Sequence, residues 1–198
     1  MSSSWAGWLD DGAQFPPPGR VRVSLDEAKA VLVHHPKFQR SRTRAKIWDG
    51  LERYWATFLR VQEMNAPVLG DRDIVQAMWL GGSFVSSKLD PNNLDLSVLL
   101  DGESRDAIKG KPGSGWITGA FQRESIGREY LLSPLEVPYR PVVSPFKTNE
   151  LTPTDYRYLS ARGAWDDWWQ RCRTPGVTPG GPTVDTVKTV RGYVEVTL

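Results

Sequence analysis

The clearest periodic signal lies between Ser41 and Met64. Apolar residues at Ile47, Leu51, Tyr54, Phe58 and Val61 step by four and three, the spacing of one face of a helix, and Trp55 and Leu59 widen that stripe. Upstream, Ser24-Leu25-Asp26-Glu27 reads as a capping box, so a short helix follows through about His34 and stops before Pro36. Ile74–Leu80 and Leu94–Leu100 read as strands, and a third surrounds Leu131–Val137, where Pro134 argues for an edge or a bulge. Phe121–Tyr130 has helical character. Thr152-Pro153-Thr154-Asp155 opens a last helix running to about Arg171. Tyr193–Leu198 closes the chain as a strand. Residues 1–23 read as an irregular arm, 102–115 as a mobile Gly/Lys-rich loop and 174–182 as a Pro/Gly loop. The expected architecture is α/β: one domain over 24–198 with a small mixed sheet, helices packed mainly on one face, and the arm attached.

Composition narrows the function classes. With 25 Lys+Arg against 23 Asp+Glu, the net charge of +2 excludes a uniformly basic nucleic-acid coat and an acidic tail. Hydrophobic residues at 39% suffice for a core. Cys172 stands alone, His34 and His35 are the only histidines, and no zinc spacing exists. No apolar run is long enough for a membrane span and the N-terminus lacks a signal core, so a cytoplasmic protein is expected. Trp5 and Trp8 share one side of a helical turn: they pin the arm to the domain or present it to a protein partner. The tryptophans of the last helix read as core packing in preference to a base-stacking platform.

Two segments carry candidate chemistry. Lys37, Arg40, Arg42, Arg44 and Lys46 form a run without an acid. Cations at a helix start oppose the macrodipole, so this placement is locally unfavourable and points either to phosphate binding, with Arg42 and Arg44 as nucleotide contacts, or to a solvated helix start. The second segment runs from Trp79 to Val98. A strand ends in Gly81-Gly82-Ser83, small residues that let backbone approach a ligand. A turn-rich connector then enters a strand on which Asn93, Asp95 and Ser97 share one side and Leu94, Leu96 and Val98 the other.

Gly82-Ser83-Phe84-Val85 followed by Pro91-Asn92-Asn93-Leu94-Asp95 resembles the signature of the nucleotidyltransferase superfamily, and within it a bacterial and phage nucleotidyltransferase-like family. The closing Arg191-Gly192-Tyr193-Val194 is similar as well. The resemblance implies a Gly-Ser loop that cradles a triphosphate (Gly81, Gly82, Ser83), paired acids holding Mg²⁺ at positions 93 and 95, and a third acid on a later strand. Carboxylates suit that task because Mg²⁺ prefers hard oxygen ligands and neutralises phosphate charge during transfer. Here the first acid is Asn93 and the third position is Ser133, which leaves Asp95, with Glu136 as the substitute ligand if Pro134 bulges the strand. Asp90 and Asp101 are further recruits. The resemblance therefore implies a degenerate member acting by binding a nucleotide, an RNA or a protein, in a phage–host or toxin–antitoxin setting. An active Mg²⁺-dependent transferase using Asp95 and Asn93, or a ligand-free interaction protein, are the alternatives.

Overall fold

The computed structural model describes residues 4–172 and 186–197. The sheet is five-stranded, mixed and open: β1 (Gly19–Ser24), β2 (Val75–Gly81), β3 (Leu94–Asp101), β4 (Leu132–Tyr139) and β5 (Gly192–Thr197) lie in the order β1-β5-β2-β3-β4. The outer pairs β1–β5 and β3–β4 are parallel; β5–β2 and β2–β3 are antiparallel. Among the described residues, eight α-helical segments accompany it: α1 (Gly7–Asp10), α2 (Leu25–Leu32), α3 (Arg44–Met64), α4 (Ala66–Leu69), α5 (Gly102–Ala107), α6 (Ser114–Gly119), α7 (Arg123–Tyr130) and α8 (Pro153–Trp169). Among the described residues no helix is long and apolar enough to cross a membrane.

Helices α2, α3, α4, α6 and α7 send side chains into one large core on one face of the sheet, where Ile47, Leu51, Tyr54, Phe58 and Val61 of α3 are all buried. Leu59, expected in that stripe, is 44% exposed. Gly50 marks a close approach of α3 to α7: a Cβ there would lie 1.9 Å from the backbone oxygen of Tyr130. Among the described residues, α8 covers the opposite face, with Trp169 packed on Ala77, Trp79, Leu99, Val137 and Tyr193. Asymmetric cover follows from the strand sequences, since β2 and β3 are almost wholly buried while α8 offers apolar residues along only part of its length.

Both capping boxes form. Ser24 Oγ accepts the Glu27 N–H and Glu27 Oε2 accepts the Ser24 N–H; Thr152 and Asp155 repeat the exchange before α8. Helix α3 begins three residues late, at Arg44, because Ser41 Oγ takes the N–H groups of Thr43 and Arg44. The arm is not irregular: residues 19–23 belong to β1, and α1 buries Trp8 and Leu9 against Val31 and Phe38. Nor is 102–115 a plain loop. Asp101 Oδ1 accepts the Ser104 N–H and starts α5 directly after β3, a cap that the polar composition of 102–115 hid. Pro134 sits on the edge strand β4, in unbroken register with Leu96, so no bulge forms. The Pro/Gly loop 174–182 lies outside the described residues.

Alkaline pH is expected to unfold the protein through its buried phenols. Tyr54 donates to the Ala120 carbonyl at 3.0 Å, and burial pushes its hydroxyl far above the ordinary tyrosine value. Tyr193 is raised likewise, by burial first and then by its hydrogen bond to Asp166. A folded-state pKa above the unfolded one gives stability that is complete below about pH 10 and lost as pH rises further. Arg44, lowered by burial to about 10, and Arg191, lowered likewise, work in the other direction, but Tyr130 and Tyr158 are raised as well, so the phenols outnumber them. The melting temperature should fall steeply from about pH 10 upward, and a Tyr193→Phe variant should lose less across the same interval in thermal melts.

Candidate functional site

At the end of β2 the chain leaves the sheet through a 3₁₀ turn, Gly82–Phe84. Gly82 has φ +64, and a Cβ there would stand 2.1 Å from Asp95 Oδ2. The turn and the acid are therefore pressed together, and only glycine meets both demands. Asp95 lies opposite Gly81 on the antiparallel side and opposite Ser133 on the parallel side. Asn93 donates its amide N–H to Asp95 Oδ1 at 3.2 Å. Two residues further along β3, Ser97 Oγ accepts the Trp169 indole N–H at 2.9 Å, so α8 closes the sheet face beyond Asp95.

A cavity of about 770 Å³ opens over this sheet end, within the usual size for a small-molecule site. Gly82, Ser83, Asn93 and Asp95, the residues singled out in the sequence, line it. Its electrostatics come from elsewhere. Arg123, first residue of α7, donates from Nε to Ser133 Oγ at 2.8 Å and again from Nη2 to the same oxygen. Arg191, at the entry to β5, donates to the carbonyls of Gly82 at 2.8 Å and Val85 at 2.6 Å and lies over the Phe15 ring. Burial lowers its pKa, with Cys172 and then Asp95 opposing. Lys88 and Arg171 complete the cationic rim, Arg171 pairing with Asp167. Burial also pushes the Cys172 thiol up, so it lines the cavity as a neutral group. Among the described residues Asp95 is the only carboxylate on the wall.

One side of the cavity is aromatic. Trp165 stacks on Trp169 with ring centroids 5.8 Å apart, and Trp168 stands edge-on to Trp165 at 6.3 Å. Trp169 is core, as expected; Trp168 is 39% exposed and faces a ligand-sized space. Gln14 and Phe15 supply another wall, with the Gln14 carbonyl accepting the Ser87 N–H at 2.8 Å, so the N-terminal arm helps to build the site.

Several expected site residues lie elsewhere. Gly81 is behind the cavity, where a Cβ would meet the Trp169 ring at 2.4 Å. Arg42 is occupied by Asp90, which accepts its N–H at 2.7 Å and its Nε–H at 3.0 Å; that backbone N–H is the main cause of the lowered Asp90 pKa. Arg44 is 1% exposed and binds protein carbonyls. Glu136 is in register with Val98, a core residue of the other sheet face, and pairs with Arg105; without a bulge at Pro134, three residues along the strand reverse the side. Asp101 caps α5 at the opposite strand end. Among the described residues no three His, Cys, Asp or Glu side chains converge as a metal cluster.

The unfavourable placement of a cation at a helix start, noted for residues 37–46, applies equally to Arg123 and would have pointed to it. Arg171 and the exposed face of Trp168 had no comparable signal, since both depend on how α8 lies across the sheet.

A model of a family of unknown function, DUF6932, matches residues 10–197. The chain belongs to this family. No curated protein and no solved structure matches it. The DUF6932 match takes in the whole cavity wall, from Gln14 on the arm to Arg191 before β5.

Proposed function

We propose that this protein binds a nucleotide in the cavity beside Gly82-Ser83, on a nucleotidyltransferase-like sheet, and does not transfer the nucleotide. One observation carries the reading: where transfer chemistry asks for three converging carboxylates, the corresponding positions hold Asn93, Asp95 and Ser133, the last two in register on adjacent parallel strands. Phosphoryl transfer depends on metal-assisted neutralisation of developing charge, and a single carboxylate is the least that holds Mg²⁺ beside substrate phosphates. The remaining equipment suits binding. A glycine turn exposes backbone beside the cavity, cations surround it, and an exposed indole offers a face for a base. A partner role for the arm draws no support from Trp8, which is 5% exposed and packed in the domain.

The test is Mg²⁺-dependent incorporation of labelled nucleotide into protein, RNA or added small-molecule hydroxyls. The expected signal equals the blank, with wild type and Asp95→Ala indistinguishable. Incorporation by the wild type that disappears in Asp95→Ala would establish the active transferase instead.

A further inference from the structure

Resting on that binding reading, we propose that the phosphates are held by the protein's own guanidinium groups and without a divalent cation: the ligand is the metal-free nucleoside polyphosphate. The residues present do not fit the Mg²⁺ that the nucleotidyltransferase likeness implies. Mg²⁺ takes oxygen ligands in near-octahedral geometry, usually from one or two carboxylates together with the substrate's phosphates. Asp95 is the only carboxylate on the wall among the described residues, and one of its oxygens already accepts from Asn93.

The decisive position is Ser133. It faces Asp95 across the β3–β4 ladder, where a further acid would complete a metal site. Instead of an acid there is a hydroxyl, and two N–H groups of Arg123 are directed at it. A fixed positive charge at that point repels a dication. It also does part of the dication's work. A guanidinium has five N–H donors; Ser133 uses two, and no carboxylate pairs with Arg123 among the described residues. The rest of the fork remains for phosphate oxygens, the geometry in which arginine binds oxyanions in pairs. Lys88 and Arg191 add charge on the same wall.

The experiment is calorimetric titration of the full-length protein with ATP, and separately GTP, in EDTA and in excess Mg²⁺. The expected result is saturable binding in EDTA, weakened about tenfold or more when Mg²⁺ sequesters the nucleotide. Asp95→Asn, which removes a negative charge from an anion site, should tighten binding in EDTA, and Arg123→Gln should weaken it about tenfold. The wild-type comparison stands without either variant, and a thermal melt checks that each is folded. Binding that requires Mg²⁺ and is lost in Asp95→Asn overturns the metal-free proposal and leaves the nucleotide reading intact. No binding of either nucleotide in either buffer overturns the nucleotide reading itself, and this proposal with it.

Discussion

Arg44→Ala is expected to lower unfolding stability by about 4 kcal/mol, which for a chain of this size moves the melting temperature down by about 8–16 °C. The guanidinium of Arg44 uses all its donors on protein carbonyls: Nη1 on Leu32 and Phe84 at 2.8 Å, Nη2 on Ser86 at 2.8 Å and Lys88 at 2.7 Å, and Nε on Lys88 at 3.3 Å. Its plane lies over Phe38, 3.6 Å from the ring centroid. Alanine would leave a large void and strand those carbonyls, each costing roughly 1–3 kcal/mol when buried without a partner. Partial hydration holds the total below the plain sum. Three of the four carbonyls belong to the glycine turn and the connector that follows it, Phe84 to the turn and Ser86 and Lys88 to the connector, so the same variant should loosen the cavity floor. Urea denaturation gives the stability change. A loss under about 1 kcal/mol would show that the connector holds its shape without this residue.

Gly82→Ala is expected to reduce nucleotide affinity by at least about tenfold while the protein stays folded. Two effects combine. A left-handed backbone costs a non-glycine residue roughly 1–2 kcal/mol, and the new methyl would lie 2.1 Å from Asp95 Oδ2. Either the turn or the acid moves, and Arg191 moves with the turn because it binds the Gly82 carbonyl. Gly7→Ala is a matched control, since a Cβ there meets nothing within 4 Å. Parallel titrations of both variants measure the difference.

The fold was most readable where one element satisfies its own pattern. Helix α3 announces itself through five apolar positions that all reach the core, the capping box at Ser24 forms as written, and the last helix starts at Thr152 as expected, there too with a capping box. Leu59 fell outside because the buried stripe is narrower than a tolerant reading of apolar residues allows. Strand β1 was hidden by the prolines before Gly19, although Arg20-Val21-Arg22-Val23 alternates as an edge strand should. Both arginines are placed to pair with buried Glu195 of β5, a partner far along the chain.

The site divides along the same line. Gly82, Ser83, Asn93 and Asp95 were readable because a turn and the strand after it are local. Arg123 and Arg191 were not assigned to the site because it is strand register, set by packing across the whole sheet, that brings them to Ser133 and Gly82. The basic run at 37–46 was misleading for an instructive reason. Its conflict with the helix dipole is real, but for Arg44 the compensating partners are internal carbonyls, and the residue organises the site from beneath.

Equilibrium dialysis of the full-length protein against α-labelled ATP in EDTA and in excess Mg²⁺, followed by chromatography of the recovered nucleotide, tests binding without transfer most directly. The account predicts nucleotide retained by the protein in EDTA, recovered as intact ATP after prolonged incubation in both buffers. Pyrophosphate release with label moved onto an acceptor in the Mg²⁺ arm, or no retention in EDTA, would contradict it.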